Sequence, residues 1–296
     1  MDEWHVGDPE DWGDHVGVPD IGYMGYLRDD ENADDGNHPH KSVSESLRME
    51  AWRLRNDGRY DEALDKINEA LNYSKNWRIY NVKAIILEDM GDYNRALLYY
   101  DKALSQTSSQ LVRDNKARLL ERMANAQQYS GNLQRPLEQI NQALKLTGDD
   151  EDRCDFLRTK ASILEKMKRP REAYVCIKLA NRQFDKVDEY ESQSEMLKNT
   201  SETIICIAGR QFHDHVSLSE GIILDLVKEP SNEHDADAIR IDYNGKTVGY
   251  VANSTYTLID EASSASDIKN MFQDHAKAEI LFLFMERHLV AKLIVQ

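Results

Sequence analysis

The chain has 296 residues and a formal net charge of −16, a length that favours two domains over one. It holds no run of about eighteen apolar residues and opens on acidic residues rather than on a basic and apolar leader, which predicts neither a membrane span nor secretion and favours a cytoplasmic location. Its three cysteines are far apart, so we expect buried free thiols in a reducing compartment rather than a disulfide framework.

The negative charge is concentrated at the N-terminus. Residues 1–40 carry twelve Asp or Glu against one Arg, whereas residues 41–200 carry 26 acidic against 28 basic side chains. Residues 201–296 carry fifteen acidic against eight basic side chains. A basic surface along the whole chain, as expected of a protein that grips nucleic acid along its length, is therefore excluded, and any nucleic-acid contact must be local.

Residues 1–40 show neither helical nor strand periodicity, and their richness in Gly, Asp and Pro predicts disorder. Large apolar side chains are spaced through this acidic tail: Trp4, Trp12, Tyr23, Met24 and Tyr26. Two interpretations stay open. The tail either keeps the protein in solution, or it docks onto a partner or onto a basic groove of its own chain.

From Ser42 onward, apolar residues recur at helical spacing, and a repeated unit emerges. The segments 58–64 (GRYDEAL) and 91–97 (GDYNRAL) lie 33 residues apart. In each unit a Gly separates two helical patterns, and the small side chains Ala63 and Ala96 stand where two helices would touch. These units resemble tetratricopeptide repeats, whose period is about 34 residues. The resemblance implies antiparallel helix pairs, stacked into a solenoid that binds proteins or peptides.

Two weaker units follow. One contains Gly131 and has Pro136 in place of the small residue, at an offset of forty residues that predicts longer helices or an expanded loop at 105–109. The other unit, around 168–173, has lost the turn glycine. Its Pro170 suits the first turn of a helix, where a missing amide hydrogen costs nothing.

The polar stretch 181–198 is typical of the capping helix that closes the exposed apolar face of a solenoid. We therefore expect about four repeats and a cap in residues 41–200. Basic side chains of the third and fourth units are candidates for binding an acidic peptide, because Arg forks pair well with carboxylates. These candidates are Arg118, Arg122, Arg158 and Lys160. The alternative is that the cations only face solvent.

At Thr203 the pattern changes to short runs of β-forming residues, with Asn244-Gly245 between the third and fourth runs. Asn-Gly between alternating runs predicts a hairpin, because both central positions of a type I′ turn need a positive φ. Helical segments are expected at 256–261 and 267–273. Six strands with one helical excursion predict that residues 201–296 form a small β-barrel, so the whole chain is an α domain followed by a mainly β domain.

The segment 228–239 (KEPSNEHDADAI), followed by Val248-Gly249-Tyr250-Val251, resembles the signature of the HIRAN domain family, and so does 208–212 (AGRQF). The resemblance extends to the C-terminus and implies a barrel that, in eukaryotic fork-remodelling members, captures the 3′ end of single-stranded DNA. The residues it implies for end binding are Gln211, Phe212, His234, Asp235 and Tyr250. Flat rings can stack on bases, and a carboxylate can accept a hydrogen bond from a terminal hydroxyl.

Two other interpretations of these loops stay open. Asn232 and Asp235 can bond neighbouring backbone groups and simply hold an irregular turn. A metal-dependent hydrolase would instead use His213, His215 and Asp235, although the sequence has no zinc-binding spacing.

No phosphate-binding glycine loop, nucleophile elbow or metal motif occurs, which predicts a protein without catalytic residues, bound metal or cofactor. We expect a non-enzymatic adaptor whose repeats bind a protein or peptide and whose barrel binds a second ligand, with a nucleic-acid end as the candidate. The alternative is a DNA 3′-end-binding protein of DNA repair or replication, in which the barrel dominates.

Overall fold

The computed structural model describes residues 39–213 and 216–295. The predicted disordered tail therefore lies outside the described residues, apart from its last two positions. The chain divides into two compact units between Lys75 and Asn76. Within the described ranges, no helix combines the length and the apolar character that a membrane crossing requires.

The first unit contains a helical hairpin formed by α1 (Pro39–Asn56) and α2 (Tyr60–Tyr73). Gly58 ends α1 with a φ of 73° and donates its amide to the Arg55 carbonyl at 3.0 Å. A left-handed residue at this position is the common way to stop a helix and turn the chain. Ala63 and Ile67 of α2 are fully buried, which confirms the first repeat.

The second unit continues with three more hairpins. They are formed by α3 (Trp77–Asp89) with α4 (Tyr93–Leu104), α5 (Gln110–Gln127) with α6 (Gln134–Leu146), and α7 (Asp150–Lys166) with α8 (Pro170–Ala180). Helix α5 has 18 residues against 13 in α3, and the loop 105–109 is longer than the loop 74–76, so a longer helix and an expanded loop both contribute to the offset of forty. Pro170 is the first residue of α8, as predicted.

The turns between paired helices share one geometry, even where the sequence has no glycine. Gly91 has a φ of 80°, and Lys168, at the corresponding place before α8, has a φ of 59°. Arg182 has a φ of 56° in the same kind of turn before the next helix. A side chain in this left-handed region is strained relative to Gly, by roughly 1–2 kcal/mol.

The predicted cap is the helix α9 (Phe184–Asn199), which begins three residues later than expected. Its Tyr190 ring stacks on Phe284 of the β domain, with centroids 5.5 Å apart. Leu197 is buried in a cluster with β-domain residues that include Ile204 and Val290. The apolar face at the end of the array is therefore covered by the β domain as well as by α9.

The β domain is a closed antiparallel barrel with the strand order β1-β4-β3-β2-β5-β6. Its strands are β1 (Ile204–Ala208), β2 (Ile223–Lys228), β3 (Ile239–Tyr243), β4 (Lys246–Val251), β5 (His275–Phe284) and β6 (His288–Ile294). Alternate residues such as Leu224, Leu226 and Ile241 fill its core. Asn244 and Gly245 have φ of 51° and 74°, which confirms the predicted hairpin.

The two predicted helical segments after β4 are wrong in extent. Residues 256–261 form turns, and the one helix described in this region, α10, spans only Ala265–Ile268. Ser254 and Thr257 close a turn through their side chains and backbone, which competes with a helix. The side chains of Ser264 and Asp267 cap α10 reciprocally.

One side of the barrel is fixed to the last helices of the array, and we call it the docked side (Glu261, Phe284 and Glu286). Arg171 of α8 donates to both carboxylate oxygens of Glu261, one at 2.9 Å. Lys178 of α8 donates to Glu286 at 2.7 Å. The Arg171 hydrogen bonds hold the pKa of Glu261 below its ordinary value. Ion pairs and stacked rings together set the position of the barrel on the helices.

All three cysteines are free and buried, as the sequence predicted; they are Cys154, Cys176 and Cys206.

Candidate nucleic-acid interface

The predicted ligand residues of the barrel gather around the strand β4. Tyr250 of β4 pairs with Ala208, the last residue of β1, and the chain then forms a 3₁₀ turn at Arg210–Phe212 that packs against β4. A Cβ atom on Gly249 would lie 2.5 Å from the Ala208 carbonyl oxygen. Glycine is therefore required in the Val-Gly-Tyr motif so that the two strands can approach.

Tyr250 is held on both sides. Its ring centroid lies 5.9 Å from that of His213, and its hydroxyl donates to Glu229 at 3.3 Å. Burial and the negative charge of Glu229 both raise the pKa of Tyr250, so the hydroxyl stays protonated at neutral pH. The ring is thus a fixed, uncharged and half-buried platform next to the 3₁₀ turn.

The conformation of the loop from Glu229 to Ala238 is stabilised by hydrogen bonds to its own side chains. Asn232 Oδ1 accepts from the backbone amides of His234 at 3.0 Å and Asp235 at 3.2 Å. Asp235 accepts from the Asp237 amide at 2.9 Å and from Asn253 Nδ2 at 2.8 Å. The structural role foreseen for Asn232 and Asp235 is therefore confirmed, and Asp235 also ties the loop to the segment that follows β4.

Three carboxylates of this region, Glu229, Asp237 and Asp242, have basic partners. Arg240 of β3 binds Glu229 and donates to Asp242 at 2.9 Å. Burial disfavours the charged Glu229, but hydrogen bonds from Asn232 and Arg240 outweigh this effect and lower its pKa. Lys269 donates to Asp237 at 2.7 Å. The acidic excess of the domain is thus locally compensated here.

Exposed side chains near Tyr250 lie on the 3₁₀ turn and on the loop. Phe212 is 79% exposed, and Gln211 and His234 also face solvent. Arg210 is half-buried, and it forms no ion pair within the described part of the chain. We call this surface the Tyr250 face (Arg210, Gln211, Phe212, His213, His234, Asp235 and Tyr250).

The structure therefore brings together the elements that carry the five predicted residues, and it adds residues that the sequence analysis missed. Arg210 supplies a cation on the same 3₁₀ turn as Phe212. In the sequence, only its position directly before Gln211 and Phe212 indicated Arg210 as a candidate. His213 contacts Tyr250 rather than standing as an isolated loop histidine.

A metal site receives no support from the described residues, which contain no group of three or more His, Cys, Asp or Glu arranged to hold an ion. Asp235 accepts a hydrogen bond from Asn253, and the His213 ring lies at a tilt to the Tyr250 ring. His215, the third residue of the hydrolase hypothesis, lies outside the described residues.

The predicted peptide-binding cations do not share one surface. Arg118 and Arg122 of α5 are about half exposed and pair with Asp152 of α7 at 2.7 Å and with Glu88 of α3 at 3.0 Å. These pairs place them where α3, α5 and α7 lie side by side.

Further contacts link the same three helices, such as Asn115 to Asn81 and Thr159 to Glu121. Arg158 instead pairs with Asp155 and approaches the carbonyl of Ala180, at the end of α8. Lys160 is buried, and burial lowers its pKa. A role for the four cations in binding stays a prediction.

Comparison with known protein families finds a match in the β domain. Residues 202–273 match the HIRAN domain family, which confirms the predicted resemblance over these residues and not over the remaining residues 274–296. No curated protein matches the chain.

Several solved structures are similar over the helical part. BtubC (BKLC) from P. vanneervenii is 16% identical over 53% of this chain and 69% of that chain, with a TM-score of 0.39. MamA is 12% identical over 51% and 88% of the two chains, with a TM-score of 0.37. A TPR repeats protein from Bacteroides fragilis is 13% identical over 52% and 83%, with a TM-score of 0.36.

Proposed function

We propose that this protein is a non-enzymatic adaptor that binds the end of a single-stranded nucleic acid through the Tyr250 face and a protein segment through its helical hairpins. The observation that carries the first half is the exposed Phe212 on the same 3₁₀ turn as the half-buried Arg210, next to a carboxylate, Glu229, that already pairs with Arg240. The HIRAN match over the same residues supports it.

The chemistry of the Tyr250 face suits a strand end better than a duplex. An exposed ring such as Phe212 can stack on an unpaired base, and each such stack contributes roughly 1–3 kcal/mol. Arg210 can bind the phosphate next to that base with a charge-assisted hydrogen bond. Within its described residues, the Tyr250 face offers one arginine, Arg210. One arginine suits contact with a single phosphate rather than with a long stretch of nucleic-acid backbone.

Asp235 gives the face its preference for an end. Its carboxylate accepts from Asn253 and from a backbone amide, and a carboxylate oxygen has room for a second donor. A terminal hydroxyl can donate there, whereas a terminal phosphate brings negative charge towards a carboxylate. We expect a free 3′ hydroxyl to be the preferred terminus.

Binding of a fluorescent single strand by variants of the full chain tests this proposal. Arg210→Gln should weaken binding and reduce the slope of log Kd against log salt by roughly 0.7, the value expected for one phosphate contact on a single strand. Phe212→Ala should weaken binding about fivefold or more without changing that slope.

Lys277→Gln is the matched control, because Lys277 is exposed on β5, which the strand order separates from β4 by two strands in either direction. It should leave the affinity and the salt slope unchanged. Failure of the wild-type chain to bind any single strand at low salt would overturn the nucleic-acid half of the proposal.

A second function, peptide binding by the helical hairpins, is supported by the face that α3, α5 and α7 form together. Arg118 and Arg122 are exposed there while bound to carboxylates of neighbouring helices. Each guanidinium group has five N–H donors, so an incoming acidic segment can bind the exposed donors while Asp152 and Glu88 keep their own hydrogen bonds.

The acidic segment 1–40 supplies a probe for this second function. A synthetic peptide of residues 1–40 should bind the chain that lacks them, and the double variant Arg118→Ala, Arg122→Ala should bind it more weakly. Arg158→Ala is the control, since Arg158 lies towards α8. If the shortened chain, the double variant and the Arg158 variant bind the peptide equally well, or if none binds it, Arg118 and Arg122 do not bind acidic peptides.

A further inference from the structure

The most exposed large side chain among the described residues is an aromatic ring that the proposed function has not used. Tyr256 is 85% exposed, more than Phe212. It lies on the segment Ala252–Glu261, which leaves β4 two residues after Tyr250. Exposed Tyr rings are enriched in interfaces, because they offer a large flat surface and a polar tip.

The segment that carries Tyr256 is fixed at both ends. Asn253 donates to Asp235 of the Tyr250 face at 2.8 Å, and Glu261 is bound by Arg171 on the docked side at 2.9 Å. Ile259, between these two points, is buried in the apolar cluster next to Leu281. Because the segment is held at Asn253 and at Glu261, its start has little freedom to move away from the Tyr250 face.

The turn at Tyr256 is itself closed by hydrogen bonds. The amides of Thr257 and Leu258 donate to the Ser254 carbonyl at 3.0 and 3.1 Å, and the hydroxyls of Ser254 and Thr257 lie 3.2 Å apart. The backbone under Tyr256 is therefore set before any ligand arrives. Such preorganisation lowers the entropy cost of binding.

We infer that Tyr256 is a further nucleobase-stacking residue, which extends the Tyr250 face past the Asp235–Asn253 contact. The proposal rests on the proposed nucleic-acid function of that face. Its ligand is the same single strand, and the added contact does not depend on base identity, because every base has a flat surface. Tyr256 thus widens the footprint without adding sequence specificity.

The order of the contacts supports this assignment. Phe212 lies on the 3₁₀ turn that packs on β4, Tyr250 lies on β4 itself, and Asn253 joins the strand end to Asp235. Tyr256 comes next along the chain, one turn beyond Asn253. The Asn253–Asp235 hydrogen bond therefore places the start of the segment that carries Tyr256 at the carboxylate that would accept the terminal hydroxyl.

The test compares variants of the full chain on one probe, a fluorescein-labelled oligothymidine of about ten nucleotides with a free 3′ hydroxyl. Tyr256→Ala should weaken binding about fivefold or more, and Tyr256→Phe should restore it, because the ring and not the hydroxyl makes the stack. The matched control is Tyr129→Ala, whose ring is 77% exposed on the helical part.

Thermal unfolding should be unchanged in all three variants, since exposed rings contribute little to stability. If Tyr256→Ala binds like the wild type while Phe212→Ala binds weakly, this inference is overturned and the proposed function stands. If the wild-type chain does not bind the probe, both are overturned. Equal losses in Tyr256→Ala and Tyr129→Ala would also contradict it.

Discussion

The docked side and the Tyr250 face of the barrel use the same kinds of side chain in opposite ways. On the docked side, Phe284 is fully buried against Tyr190, and Arg171 is bound through both oxygens of Glu261. On the Tyr250 face, Phe212 is 79% exposed, and the neighbouring Arg210 forms no ion pair among the described residues.

The docked side is an interface within the chain, whereas the Tyr250 face is exposed to solvent. A ring packed on a ring and an arginine bound by a carboxylate hold the barrel to the helices. An exposed ring and an arginine that forms no ion pair among the described residues, next to Tyr250, have the composition of an interface with a separate molecule. The account predicts that changes on the docked side alter stability and that changes on the Tyr250 face alter binding.

The largest expected effect is on the docked side. Phe284→Ala should lower the free energy of unfolding by about 3–5 kcal/mol, because it empties a fully buried site against Tyr190. Urea denaturation of the full chain measures this change. The matched variant Phe212→Ala should stay within about 0.5 kcal/mol of the wild type. Similar losses in both variants would erase the distinction between the two surfaces.

The ion pair of the docked side should have a smaller effect. Arg171→Met should lower the free energy of unfolding by about 1–3 kcal/mol, because it leaves the mostly buried Glu261 carboxylate without its strongest donors. A double-mutant cycle with Glu261→Gln should give a coupling energy well above the error of the measurement. Strict additivity of the two losses would show that the pair does not hold the barrel.

The same pair predicts a pH dependence with a definite sign. The pKa of Glu261 is lowered in the folded protein, chiefly by its hydrogen bonds with Arg171. Its stabilising contribution is therefore complete above the ordinary pKa of 4.5 and is lost as the pH falls through the lower folded value. Glu261→Gln should lose less stability than the wild type between pH 5 and pH 3, measured by thermal unfolding. A parallel loss in both proteins would contradict this assignment.

The smallest expected effect is a gain, in the turn before α8. Lys168→Gly should raise the free energy of unfolding by about 1 kcal/mol, because Lys168 has a φ of 59° in a position that favours glycine. Gly91→Ala is the matched opposite: no atom lies within 4 Å of the added Cβ, so the backbone strain alone should destabilise. Neither change should alter nucleic-acid binding, and a loss of binding in either would link the repeats to the Tyr250 face.

These turns also show how far the sequence could predict the helical part. Gly58 and Gly91 marked the first two hairpins because only glycine adopts the left-handed turn without strain. The turn at Lys168 also has a positive φ but no glycine. In the sequence, only Pro170 and the small residue Ala173 indicated this turn. The final helix was recognised, but its contact with Phe284 was not, because a pairing between distant segments leaves no local pattern.

In the barrel, the sequence predicted local structure better than it predicted tertiary contacts. The Asn244-Gly245 turn predicted one hairpin, and the short apolar runs predicted six strands, the number found in the barrel. The helix expected at 256–261 was wrong because hydroxyl groups at Ser254 and Thr257 close a turn instead. Arg210 was missed because its importance depends on which carboxylates other arginines already occupy, and only the folded structure shows this.

The central claim is that the Tyr250 face binds a strand end, and the most direct measurement compares linear and circular DNA. The full chain should bind a linear single strand with a free 3′ hydroxyl, and a circular single strand of the same length and composition should compete for it poorly. A linear strand with a 3′ phosphate should compete at an intermediate level, because it keeps the bases but brings charge towards Asp235. Equal competition by the circular strand would contradict end binding.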